Sequence, residues 1–168
     1  MAMTIDSFAA KCRAALQAHP DTQGRTQVNE LVKEVLKDPE FIATYIPEGG
    51  PERKVLYEDP DLGFTVLAHA YSDAKSSGPH DHGPTWAIYG QAAGATVMTD
   101  WDCVEPASAE HRGKAARRQD YTLAPGDAHL YEPGVVHSPR RDGPTRLLRI
   151  EGLNMDRVKR YPYDVVAA

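Results

Sequence analysis

The stretch Gly78-Pro79-His80-Asp81-His82-Gly83, with the later stretch Pro133-Gly134-Val135-Val136-His137, decides the fold that this sequence predicts. On an extended strand, residues i and i+2 point to the same face, so the imidazoles of His80 and His82 can reach one centre. The Pro-Gly pair predicts a tight turn, after which a returning strand begins at His137. Because imidazoles from neighbouring strands can hold one divalent ion, we expect these three histidines to be metal ligands.

The hydrophobic period changes along the chain from a helical repeat to alternation. Apolar positions at helical spacing predict helices over residues 4–16 and about 27–36, with a further turn over 40–45. After Gly49-Gly50-Pro51, alternating runs divided by Pro, Gly and Asp turn signals predict short strands. These strands are residues 54–58, 63–71, 85–91, 93–101, 118–123, 127–131, 137–139 and 145–150.

Closely spaced short strands favour a mainly β sandwich or barrel preceded by a helical segment. We interpret residues 1–50 as an N-terminal helical cap and residues 51–168 as the barrel, together forming one structural domain. The charged segment 105–117 is expected to be an exposed hairpin loop.

Composition argues against several classes of partner. The formal net charge is −5 and the chain has no basic tract, so neither nucleic acid nor an anionic membrane is an expected partner. No apolar run is long enough to span a bilayer, and the N-terminus lacks an apolar signal core. We therefore expect a cytoplasmic protein, with homo-oligomerisation left open.

The first histidine segment resembles a motif of the cupin superfamily, which reads Gly-x5-His-x-His-x3,4-Glu-x6-Gly. His80, His82 and the closing Gly94 match it, while Ala87 occupies the glutamate slot. The opening glycine is out of register.

The second histidine segment resembles the other cupin motif, Gly-x5-Pro-x-Gly-x2-His-x3-Asn. Gly126, Gly134 and His137 match it, whereas Glu132 stands in the proline slot and Arg141 in the asparagine slot. The resemblance implies a cupin double-stranded β-helix, which is a jelly-roll barrel.

A histidine trio without the glutamate is similar to the site of the cysteine dioxygenase (thiol dioxygenase) family, and this resemblance runs from about residue 53 to 151. It implies Fe(2+) as the cofactor and a small-molecule thiol and O2 as reactants, which the family converts to a sulfinate. Without a carboxylate ligand, the metal keeps its full charge and three free positions, which suits an anionic substrate.

Two positions stand where the family binds its substrate or relays protons. The family's anchoring arginine on the first barrel strand corresponds to Lys54, with Arg53 beside it; a strand-edge charge is the alternative. The family's Ser-x-His-x-Tyr relay is replaced by Leu147-x-Arg149-x-Glu151. By alternation these three residues share a face, so Arg149 and Glu151 pair with each other, Arg149 holds the substrate acid, or the two are exposed.

Further residues alternate toward the expected pocket. His69 and Tyr71 precede the first motif and, with Glu151, are candidates for catalytic contacts; a satisfied place in the barrel interior is the alternative for the first two. Tyr89 shares the parity of Ala87 and is expected to point inward. Asp81 is expected to make a loop hydrogen bond, and His129 to be structural.

The sequence thus favours an iron(II) dioxygenase that oxidises a small anionic thiol, with cysteine itself in doubt because the anchor and relay depart from the family. One alternative is another three-histidine cupin enzyme, either a carbon–carbon-cleaving dioxygenase or an isomerase. The other is a non-catalytic cupin that binds a small molecule through its metal. Nickel, manganese and zinc tolerate similar ligands.

Overall fold

The computed structural model describes residues 2–168 and begins with helices. These are α1 (Ile5–Ala18), α2 (Thr22–Val35) and α3 (Pro39–Tyr45). Each begins at a side chain that accepts backbone N–H groups of its first turn: Thr4, Asp21 and Asp38 respectively. No helix within residues 2–168 has the length and apolar character needed to cross a membrane.

The remainder of the described chain is built mainly of ten strands. They are β1 (Lys54–Glu58), β2 (Thr65–Tyr71), β3 (Lys75–Ser76), β4 (Ala87–Ala93), β5 (Thr96–Glu105), β6 (Gly113–Leu123), β7 (Ala128–Tyr131), β8 (Val136–Arg141), β9 (Thr145–Glu151) and β10 (Tyr163–Val166). A short 3-10 helix, Met155–Arg157, lies between β9 and β10.

The strands form two five-stranded sheets within residues 2–168. The first sheet has the order β1-β2-β9-β4-β7 and the second the order β10-β6-β5-β8-β3. Pairing is antiparallel except between β10 and β6. The chain passes repeatedly from one sheet to the other, as in a jelly roll. The predicted fold is therefore confirmed: a mainly β jelly-roll barrel, which is a double-stranded β-helix, with an N-terminal helical segment.

The first sheet is buried on both faces. Its outer face carries Val66, Ile88 and Leu148, which pack with Phe8 and Val28 of the helices in one hydrophobic core. Successive strand residues alternate between faces. The intervening residues of β2, β4 and β9 therefore point into the barrel, which is how this sheet supplies side chains to the site.

The main differences from the sequence prediction lie in α2, β6 and β10. Helix α2 begins at Thr22 rather than near Gln27, because the Asp21 cap starts it before its first apolar position. Strand β6 begins at Gly113, so the hairpin loop over 105–117 is shorter than expected. Strand β10 was not predicted; it pairs with β6 through Tyr163 and Gly113, where there is no room for a side chain on the glycine.

Helix α2 approaches the first sheet closely at Gly90. A Cβ atom there would lie 2.6 Å from Val32 Cγ1 and 3.0 Å from the carbonyl oxygen of Leu148. We expect Gly90→Ala to lower the free energy of unfolding by about 1–3 kcal/mol through overpacking. Urea unfolding checks this, with Gly143→Ala as control, because a Cβ at Gly143 meets no atom of residues 2–168 within 4 Å. Equal stability of the two variants would contradict it.

Candidate metal centre and its cavity

The structure brings His80, His82 and His137 together, as expected. His80 and His137 are paired through their backbones: each N–H donates to the other's carbonyl oxygen, at 3.0 and 2.9 Å. His82 follows two residues later, and one ring nitrogen from each histidine lies within 4.8 Å of the other two. The two motif segments are thus joined at the residues that carry the ligand atoms.

Two of the rings are oriented by backbone carbonyls. His80 Nδ1 lies 2.9 Å from the Gly78 carbonyl oxygen, and His137 Nδ1 lies 3.0 Å from that of Val135. A carbonyl oxygen only accepts, so each Nδ1 carries the proton and each Nε2 presents a lone pair. This is the tautomer that a metal ligand needs.

The donor set fits a divalent metal ion. His82 Nε2 and His137 Nε2 are 3.1 Å apart, close to the spacing of two ligands at right angles on one ion with metal–nitrogen bonds of about 2.1 Å. Burial lowers the pKa of His80 to about 4 and those of His82 and His137 well below 6.5. The imidazoles are therefore neutral at neutral pH, as metal binding requires. Among the described residues no carboxylate joins the cluster.

Tyr89 points inward, as its parity predicted, and reaches the histidine cluster. Its hydroxyl oxygen lies 3.4 Å from His80 Nε2 and 3.2 Å from the Nε2 atoms of His82 and His137. The phenol is fully buried, and burial raises its pKa, so it holds its proton at neutral pH. A neutral O–H donor therefore stands beside the three ligand atoms.

A cavity of about 570 Å³ opens beside this cluster. His80 and Tyr89 form part of its wall, and Arg141, Arg149 and Arg160 also line it. A smaller adjoining cavity of about 230 Å³ shares Tyr71, Lys75, Arg149 and Arg160 with the first. Its other lining residues include Arg53, His69, His82 and Glu151.

The expected substrate anchors lie in different environments. Arg53 forms an ion pair with buried Glu151, 3.0 Å between Nη1 and Oε1, and also contacts Asp156 at 3.2 Å. Lys54 is exposed on β1 and is not among the residues that line either cavity within the described chain. Arg149 is half-buried, with its guanidinium carbon 4.3 Å from the centroid of the Tyr89 ring.

The interpretation in which Arg149 pairs with Glu151 is wrong. Glu151 accepts hydrogen bonds from Arg53 and from the Met155 amide, the latter at 2.8 Å. Arg149 lies beside Tyr89 across the β4–β9 pair and makes no ion pair with any residue of 2–168. Glu151 is therefore the counter-charge of Arg53, and Arg149 has no carboxylate partner within residues 2–168.

His69 and Tyr71 also face the smaller cavity. His69 Nδ1 lies 2.7 Å from the Glu52 carbonyl oxygen and must donate to it, so its Nε2 is unprotonated. Burial, with the charge of Arg149 next in importance, lowers the pKa of His69 to about 2. The Tyr71 ring contacts two cations: Arg141 at 5.0 Å and Lys75 at 5.5 Å from its centroid.

Two other expectations concern residues outside the cluster. Asp81 accepts from the Gly83 amide at 2.9 Å and from the Tyr163 hydroxyl at 3.0 Å, which confirms its loop hydrogen bond. His129 stacks against Tyr121 and Tyr131 and is not a fourth member of the histidine cluster in residues 2–168.

Arg141 and the segment 160–163 line the larger cavity, and sequence reasoning assigned neither of them a role. Arg141 has the parity of His137, four residues earlier on β8, and parity could have identified it. The sequence predicts that this strand ends at Pro139, whereas β8 continues for two more residues to Arg141. The segment 160–163 carries no alternation that would have pointed to it.

Comparisons with known proteins give structural neighbours only. Neither a protein-family model nor a curated protein matches the chain. A cupin superfamily protein from Desulfitobacterium hafniense is 16% identical, covering 64% of this chain and 81% of that one, with a TM-score of 0.46. KdgF from Halomonas sp. is 16% identical (63% and 82% covered, TM-score 0.46). A Klebsiella pneumoniae protein with a double-stranded β-helix domain is 15% identical (68% and 80%, TM-score 0.46).

Cupin superfamily proteins are thus among the structures similar to this chain. At these identities and TM-scores, the activities of the neighbours say nothing about the present site. The strand order and pairing described above establish the fold, and the three histidines on that fold could bind a metal ion.

The low pKa of His69 makes stability depend on pH. Below pH 6.5 the His69 imidazole takes up a proton in the unfolded chain but not in the folded chain. The free energy of unfolding is therefore undiminished by His69 above pH 6.5 and decreases as the pH falls below that value. Between pH 6 and 5, we expect His69→Asn, which keeps a donor for the Glu52 carbonyl, to flatten the fall in unfolding free energy by roughly 1 kcal/mol per pH unit.

Urea unfolding of metal-free protein at pH 7.5, 6 and 5 measures this slope. His80, His82 and His137 act in the same direction in both proteins, so the difference between the two slopes isolates His69. His111→Asn, in an exposed loop, is the control and should keep the wild-type slope. Identical slopes for all three proteins would contradict the neutral, buried state of His69.

Proposed function

We propose that this protein is an iron(II)-dependent dioxygenase that oxidises a small anionic thiol to a sulfinate. The observation that carries the proposal is a cluster of three neutral histidines, two buried and one partly buried, that no carboxylate of the described chain joins and that lies beside a cavity lined by arginines. In the reaction a thiolate gains both atoms of O2: sulfur supplies four electrons, two sulfur–oxygen bonds form, and the oxygen–oxygen bond breaks. The resemblance to thiol dioxygenases supports the same chemistry.

His80, His82 and His137 would hold the iron, which when bound would coordinate the thiolate and activate oxygen. The protein prepares this place by orienting the rings through the Gly78 and Val135 carbonyls. Because all three imidazoles are neutral, they leave the charge of a divalent ion uncompensated, which favours an anionic substrate. A thiolate meets that requirement.

Arg149 is the residue best placed to orient the substrate acid. Its guanidinium carbon lies 4.3 Å from the centroid of the Tyr89 ring, and the Tyr89 hydroxyl contacts the ligand nitrogens. An anion bound to Arg149 would therefore be separated from the histidines by the Tyr89 side chain. Arg149 Nε is buried and has no hydrogen-bond partner within residues 2–168. A guanidinium held in place would orient the thiol when it binds. The entropy cost of orienting the substrate would then be met on binding and not in the reaction step.

Tyr89 is the proton-bearing group nearest the reacting atoms among those described here. Its hydroxyl lies within 3.4 Å of all three Nε2 atoms, so it can donate a hydrogen bond to an anionic atom placed between them. Burial keeps it protonated at neutral pH. We assign it the role of stabilising developing charge on oxygen or sulfur.

Oxygen consumption against a thiol panel tests the proposal. Protein loaded with iron(II) should consume O2 with at least one mercapto acid and form the sulfinate, detected by mass spectrometry. It should not do so with cysteamine, which has no acid group. His137→Ala should lose bound iron and oxygen uptake together, whereas the exposed-loop variant His111→Ala should keep both.

Anaerobic titration of the iron protein with the same thiols separates turnover from binding. A thiol that perturbs the iron spectrum without later oxygen uptake would identify a binding protein rather than an enzyme. A chain that holds one iron and consumes no oxygen with any thiol would overturn the proposal.

Removing the Tyr89 hydroxyl should separate catalysis from metal binding. We expect Tyr89→Phe to retain iron, because the histidines supply the ligands, and to lower kcat by about 10²-fold through loss of one hydrogen-bond donor. Steady-state oxygen uptake and metal analysis measure the two quantities. Tyr121→Phe, which removes a hydroxyl at Tyr131 and Asp100 instead, is the matched control. Wild-type kcat in Tyr89→Phe would remove this residue from the mechanism.

A further inference from the structure

The larger cavity has a one-sided charge. Lys75, Arg141, Arg149 and Arg160 contribute to its lining, and among residues 2–168 no aspartate or glutamate does. The sequence as a whole carries a net charge of −5, so composition does not explain a cationic pocket.

Arg141 is the most unusual of these cations. The residue is only 3% exposed, and its Nε and Nη2 atoms are buried without a hydrogen-bond partner in the described chain. Its guanidinium carbon lies 5.0 Å from the centroid of the Tyr71 ring, a cation–π contact. Burying an unpaired cation is strongly unfavourable. An anion in the cavity would supply the missing counter-charge.

Arg149 adds a second unpaired guanidinium to the same wall. Its positive charge is among the factors that lower the pKa of Arg141, after burial, so the two groups lie close enough to repel each other. Elsewhere in the site the chain pairs its cations: Arg53 meets Glu151 at 3.0 Å, and Lys75 meets Glu52 at 3.0 Å. Arg160 also has no ion pair within residues 2–168, but it is exposed to solvent, so Arg141 and Arg149 are the buried and half-buried cations left for a ligand.

We propose that this cavity selects a substrate that carries two anionic groups besides its thiol, with Arg141 and Arg149 as the residues that set this specificity. The inference rests on the proposed function only in taking the cavity beside the histidines as the substrate site. One acid group would engage Arg149 near Tyr89, and the second would engage Arg141. Mercapto dicarboxylic acids meet this requirement, and so do mercapto carboxylic acids that also bear a phosphate. A thiol with a single acid group would leave one guanidinium unpaired.

Calorimetric titration of the metal-loaded protein with compounds that lack sulfur tests the charge requirement directly. Wild-type protein should bind succinate about tenfold or more tightly than propionate, which shares one carboxylate but lacks the second. Inorganic phosphate, titrated in parallel, distinguishes a dicarboxylate site from a phosphate site; preference for either dianion over propionate supports the proposal. Equal affinity for succinate, phosphate and propionate would overturn it.

Variants of two adjacent arginines locate the effect. Arg141→Gln should bind succinate and propionate equally, while Arg140→Gln should keep the wild-type preference, because Arg140 is exposed and paired with Asp142 at 3.2 Å. Without ligand, Arg141→Gln should melt no lower than wild type, since an uncompensated charge is removed. A lower melting temperature with an unchanged preference would assign Arg141 a structural role and overturn the proposal. Should Arg141→Gln fail to fold, the affinities of the wild-type protein for succinate and propionate still test the proposal.

The thiol reaction gives an independent readout. Mercaptosuccinate should exceed 3-mercaptopropionate in kcat/KM by about tenfold. Oxygen uptake with both thiols at equal kcat/KM would overturn the dianion inference and leave the proposed function standing. Tight succinate binding without oxidation of any thiol would overturn the proposed function and leave the dianion inference standing.

Discussion

The site depends on one pair of backbone hydrogen bonds. His80 and His137 come from segments 57 positions apart, and each donates its N–H to the other's carbonyl oxygen. This isolated bridge sets the spacing of two ligand rings, and the i, i+2 rule then places His82 on the same side. Carbonyls of the same two segments orient the rings. The main chain, rather than a network of side chains, therefore fixes the metal-binding geometry.

Alternation along strands explains why much of the site could be predicted from the sequence. The inward direction of His69, Tyr89 and Arg149 follows from parity once the strands are identified, because the outer face of the same sheet is covered by helices. The missed parts have local causes. Pro139 is a turn signal in the sequence, so the predicted strand stops before Arg141, although β8 continues through the proline. The pairing of β10 with β6 depends on small residues such as Gly113, which add nothing to the apolar pattern. Which carboxylate neutralises which arginine depends on tertiary contacts, so the sequence could not assign Glu151 to Arg53.

The arginines of the site divide into paired and unpaired groups. Arg53 links β9 to the following 3-10 helix through ion pairs with Glu151 and Asp156, and these carboxylates compensate its charge. Arg141 and Arg149 lie against tyrosine rings instead, at 5.0 and 4.3 Å. An aromatic face holds a guanidinium in position but compensates its charge only weakly. These two guanidinium groups are thus positioned by aromatic rings, but their charges are not neutralised by a carboxylate of residues 2–168. Such an arrangement is expected of groups that bind an anion.

Charge also links the cavity to the metal. Three neutral imidazoles leave a bound divalent ion with its full charge. That ion would lie near the Tyr89 hydroxyl, and the Arg149 guanidinium lies over the Tyr89 ring. Metal and guanidinium repel each other in a site of low dielectric, and an anionic ligand is attracted to both. Since such coupling is reciprocal, an anion that strengthens metal binding is itself bound more strongly when the metal is present. A site built in this way is most stable when metal and anion are bound together, and an anionic thiol satisfies both partners with one molecule.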